Sequence, residues 1–210
     1  MTRAFPVPPS ARRALLAALM LAACGPALAQ PKADPDWPCP QRRTPDISLA
    51  AVWSGPALDT AGRWTDDQEA ATLAVKLASR RTPVEEAGGL IAAFAKEAGP
   101  EAKTRLVRVF AGVYEITSLE RAKVMDGIVR YARGQERLAA RLREEGDALG
   151  QAKDSPEAAD TPATRELEQK LTWDTRIFEE RTRSLAYVCE TPVLLEQRVF
   201  EIGRQIQDRL

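Results

Sequence analysis

The chain has 210 residues, with 30 basic and 30 acidic side chains, three cysteines and no histidine. Balanced charge argues against a nucleic-acid binder, which needs a basic surface. The missing histidine removes the usual general base, the commonest metal ligand and every Ser-His or Cys-His nucleophile arrangement, along with the Glu-x-x-His di-iron signature of helical bundles.

In chain order, residues 1–29 read as an export signal. Arg3, Arg12 and Arg13 form a basic n-region, and no acid precedes Asp34. The apolar run "ALLAALMLAA" at 14–23 is long enough for a signal h-region and too short for a membrane span. Two cleavage readings compete. Ala27-Leu28-Ala29 is a small-x-small site for signal peptidase, giving a signal over 1–29 and a free periplasmic product. Leu21-Ala22-Ala23-Cys24 resembles a bacterial lipobox, giving a signal over 1–23 and a membrane-anchored lipoprotein acylated at Cys24. Removing 1–29 takes away three basic residues and no acidic ones, so 27 basic face 30 acidic residues in the mature chain. That chain is long enough for one domain with a real core, and no later apolar run spans a membrane.

Either cleavage leaves Cys39 and Cys189 unmodified. An oxidising compartment and an even count predict that they form a structural disulfide, against the alternative of two buried thiols. Neither has a CxxC neighbour, and two thiolates without histidine make an incomplete zinc shell.

Residues 30–64 hold six prolines and three tryptophans. Proline fixes φ and disfavours helix at the preceding residue, so this segment is expected to be an extended strap. Trp37, Trp53 and Trp64 are expected to fasten it to a helical body. "ISLAAVW" at 47–53 fits either a short helix or a turn.

The remaining 65–210 are expected to form a helical bundle. "TDDQ" at 65–68 is a capping-box pattern opening a helix to about Arg81, and "TPVE" at 82–85 opens a second, with Thr82 as cap and Pro83 first in the helix. Gly99 and Pro100 stop it. A third begins near Glu101; "TSLE" at 117–120 is a further capping box where it either breaks or runs on. Val124, Ile128, Tyr131, Gln135, Leu138, Leu142, Glu145 and Leu149 then alternate 4, 3 in a heptad a/d pattern. After "GQAKDSPEAADTP" at 150–162 the pattern resumes at Leu167, Leu171, Asp174, Phe178, Arg181, Leu185 and Val188. "ETP" at 190–192 reads as a stop, with Pro192 starting a last helix. The expected architecture is therefore all-α: a bundle of five to six helices containing a long antiparallel hairpin, preceded by the strap.

A turn near residue 156 sets Tyr131 opposite Arg181, Leu138 opposite Asp174, and Gln135 beside Ile177 and Phe178. Such polar groups either fix register or line a small pocket. Trp173 amid alternating charge reads as core, with an interface anchor as the alternative. The acid pairs 66/67, 85/86, 144/145 and 179/180 read as solvated helix faces or first-turn contacts with the helix dipole, and "DTAGRWTDDQE" at 59–69 has its glycine in the wrong place for a calcium loop. No catalytic residue, metal ligand or cofactor site is assigned. The expectation is an exported, non-catalytic binding, scaffold or accessory factor of the bacterial cell envelope with a protein partner. Residues that could form an interface or pocket are Trp37, Trp53, Tyr131, Gln135, Trp173, Asp174 and Arg181. The alternatives are a carrier of a small apolar ligand in the bundle interior and a carboxylate-based enzyme.

Overall fold

Alanine-rich sequence with apolar residues at helical spacing builds nearly everything after residue 67. The structure, a computed structural model, describes Asp34 and residues 36–210; the signal-peptide and Cys24 readings lie outside the described residues. Among the described residues there are five α-helices and no strand: α1 (Leu49–Val52), α2 (Gln68–Ala78), α3 (Val84–Ala98), α4 (Ala102–Asp154) and α5 (Pro162–Gln207). No helix among them is long and apolar enough to cross a membrane.

The all-α class and the long hairpin are as expected, but several boundaries differ for physical reasons. Thr65 does not cap the first long helix. Residues Trp64–Asp66 form a 3-10 turn, and the Asp67 carboxylate accepts from Ala70 N at 3.1 Å. Arg105 decides the choice by gripping Asp67 through two bonds of 2.7 Å. The helix ends at Ala78, not Arg81, because the buried Arg198 of α5 donates to the carbonyls of Leu77 and Thr82 and closes the turn there. Pro83 is the N-cap of α3, one position earlier in the helix frame than expected.

"TSLE" does not interrupt α4, which runs unbroken for 53 residues, roughly 80 Å at the α-helical rise. Thr117 is fully buried against the bundle, so packing holds the helix where local capping chemistry would have released it. Nor does "ETP" end α5; Pro192 lies inside it. Proline deprives the carbonyl four residues back of its donor. Here that carbonyl is Val188's; the proline is buried, and the carbonyls on either side are taken up, Cys189 by Gln41 of the strap and Tyr187 by Thr191 Oγ1 at 3.3 Å. The α4–α5 link is Ser155–Thr161, shorter than the dozen residues expected. Thr161 caps α5 through Thr164 N, and Pro162 sits in the first turn.

Two apolar clusters organise the body. The larger joins α2, α3, the start of α4 and the end of α5 around Phe110, Leu77, Ile91, Leu106 and Ile202. Gly112 and Gly203 permit its closest approaches. A Cβ on Gly203 would stand 2.6 Å from Val52 O and 2.9 Å from Phe110 Cε2, and one on Gly112 would stand 2.7 Å from Ala74 Cβ. The smaller cluster is Cys39, Ile128 and Cys189, with Trp37, Val124, Leu185 and Val188 packed around it. Beyond it the hairpin extends as two helices alone, with only Leu138, Glu145 and Thr164 buried along its outer half.

Candidate functional site

The strap is held by a disulfide, hydrogen bonds and an aromatic stack in sequence along α4. Cys39 and Cys189 form a disulfide with 2.01 Å between sulfurs and 5.5 Å between Cα atoms. Trp37 lies half-buried beside it and donates to the Gln41 carbonyl at 2.6 Å. Arg121 is the polar anchor. Its guanidinium, with 4% of the side chain exposed, donates to Thr44 O at 2.9 Å, Pro45 O at 3.1 Å and Thr44 Oγ1 at 2.9 Å, and pairs with Glu196 at 2.6 Å. Farther along, Tyr114 donates to Ile47 O at 2.8 Å, and Trp53 stacks on Phe110 with ring centroids 4.1 Å apart. Trp53 is thus a core residue, not an interface one. "ISLAAVW" forms the four-residue helix α1.

The seam of the hairpin has the expected register. Tyr131 donates to the Arg181 carbonyl at 2.6 Å, and burial pushes its hydroxyl pKa up against the opposing pull of the Arg181 charge. The Gln135 amide donates to Phe178 O and Thr182 Oγ1, both at 3.3 Å. Asp174 lies 3.8 Å from Arg141, and buried Glu145 lies 2.7 Å from Lys170. Tyr131 and the Gln135 amide bond across the seam, and Glu145 and Asp174 face cations at its edge. Among the described residues, Gln135 Oε1 and Asp174 Oδ2 are buried without a hydrogen-bond partner. Polar residues of this kind fix the register of paired helices. Arg181 departs from the expectation. Only its carbonyl enters the seam; its side chain is exposed, because a guanidinium on a long stem reaches water at less cost than burial would impose.

Trp173 is not core. It is 63% exposed on the outer face of α5, flanked by Gln169, Thr172 and Arg176. Tyr187, two heptads on, is 77% exposed, and Leu194, one further, is 45% exposed. A residue before a seam position projects about 100° away from it, so Trp173 points outward where Asp174 points in. Three buried anchors escaped sequence reading: Asp67, Arg121 and Arg198. Arg121 carried a signal, since it continues the heptad phase one step before Val124 and places a charge where an apolar residue belongs.

The chain matches no protein-family model, no curated protein and no solved structure. The fold defines its class: an all-α, disulfide-clamped bundle with an extended two-helix arm.

Proposed function

We propose that this chain is an exported, non-catalytic binding protein of the bacterial cell envelope, which docks a protein partner on the outer face of α5 around Trp173. The exposure of Trp173 carries the reading. Large aromatics in a charged setting anchor interfaces out of proportion to their number, and this one recurs in phase with Tyr187 and Leu194 along a helix whose opposite face is already packed. The base is built for rigidity: the disulfide, the Arg121 anchor and two apolar clusters hold it, while the arm presents its surface. The polar lining of the seam, Tyr131, Gln135, Glu145 and Asp174, favours binding over carriage of an apolar ligand.

Crosslinking from position 173 in the native envelope tests this. A photoreactive residue there should capture one protein in high yield, and Trp173→Ala should weaken that complex at least tenfold while leaving the fold intact. Capture no stronger than from an exposed site on α3, such as Glu97, would reject the reading.

A further inference from the structure

The other helix of the arm carries a face that the seam does not use. Lys123, Arg130, Arg133, Arg137 and Arg141 are spaced 7, 3, 4 and 4 residues apart. At 3.6 residues per turn they fall within roughly 80° of one another, in a row about 27 Å long. All five are exposed, and the seam residues Tyr131, Gln135 and Leu138 lie about a third of a turn away. Asp126 is the one acid on this face within the row. Arg133 donates to Asp36 at 2.5 Å and Arg141 stands 3.8 Å from Asp174. Among the described residues no carboxylate lies within 4.0 Å of Lys123, Arg130 or Arg137, and the chain before Asp34 contains no acid that could supply one. Gly127 lies between Lys123 and Arg130, and Gly134 between Arg133 and Arg137. A Cβ at either would be 3.9 Å from the Nη2 of Arg130 or Arg137, so both guanidiniums lie back over bare helix.

The strap begins beside this row, with Asp36 on Arg133. Charge complementarity says what covers the rest: exposed cations with no carboxylate partner match a surface of phosphates. We infer that this face lies flat on an anionic phospholipid surface, with the lipid phosphates accepting from the unpaired basic side chains. Unpaired positive charge gathered on one exposed helix face is what such docking requires, each basic side chain near an anionic leaflet adding to the attraction. The inference rests on the export reading of residues 1–29 and is independent of the α5 face.

The test is flotation of the mature protein, in whichever processed form the cell makes, with vesicles of phosphatidylcholine or vesicles rich in phosphatidylglycerol. The ratio of the two partition coefficients cancels any contribution of an anchor. Each basic side chain close to an anionic leaflet is worth about fivefold, so Arg130→Gln with Arg137→Gln should lower the ratio about 25-fold and leave the melting temperature unchanged. Salt at about 0.5 M, where the screening length is about 4 Å, should lower it as well. Trp173→Ala should leave it alone. A wild-type ratio near one, or a double variant that keeps the full ratio, would overturn the inference. So would stronger displacement by soluble polyphosphate than by phosphatidylglycerol at equal phosphate, which would assign the row to a soluble polyanion. Intact mass reports signal processing separately, so a failed export reading shows there and a failed docking face shows in the ratio.

Discussion

Removing the Cys39–Cys189 bond should lower stability mainly through the unfolded chain. The two cysteines are 150 positions apart, and closing a loop of that length removes about 17 cal/mol/K of chain entropy, or about 5 kcal/mol at 25 °C. In the folded protein the strap keeps other attachments: Arg121 on Thr44 and Pro45, Tyr114 on Ile47, and Trp53 on Phe110. Its native position should therefore survive reduction, and the loss should lie between about 3 and 5 kcal/mol. Guanidinium unfolding of the oxidised protein and of Cys39→Ala with Cys189→Ala, followed by far-ultraviolet circular dichroism, measures it directly. The variant should also show a larger denaturant slope, since its unfolded chain exposes more surface. A difference below about 1 kcal/mol with equal slopes would show that the bridge does not constrain the unfolded ensemble, and the reasoning would fail.

Three further outcomes are expected. Gly203→Ala should destabilise by about 1–3 kcal/mol, read as a lower melting temperature, because its Cβ would press on the Val52 carbonyl and Phe110. Leu138→Asp, which buries an unpaired charge in the outer seam, should cost about 3 kcal/mol locally. Hydrogen exchange should then rise in the arm while the amides around Phe110 stay protected. The Arg105 bonds hold the Asp67 carboxyl well below the usual carboxylate range. Since the folded pKa is the lower one, this contribution is complete at neutral pH, begins to fade as pH drops through the ordinary aspartate value of about 4, and is lost below the folded value. Asp67→Ala should accordingly be less stable than wild type at pH 7, with a gap that narrows in acid titrations below about pH 4.

Much of the arm was legible from residue spacing alone. The 4, 3 alternation through Val124, Ile128 and Tyr131 placed one helix, its return through Leu171, Asp174 and Phe178 placed the other, and the polar break placed the turn closely enough to pair Tyr131 with Arg181. Reading residues 1–29 as a processed signal sets Cys24 aside and leaves two cysteines to pair, and the structure joins them. The basic row was harder to see. Net charge averages over the whole chain, whereas docking depends on which charges share a helix face, and only a continuous α4 puts Lys123 and Arg141 on the same one.

Local sequence determined the helical class, the seam and the bridge, because periodic burial and covalent pairing depend on residue type and spacing. The tertiary structure decided where helices begin and end and which charges are hidden. Thr65, the "TSLE" box and Pro192 each offer a local boundary worth only a few kcal/mol at most. Each lost to contacts from distant parts of the chain: Arg105 on Asp67, the buried packing of Thr117, and Gln41 with the disulfide beside Pro192. Trp173 followed the same rule in reverse, because its exposure was decided by where the partner helix lies and not by its own apolar character.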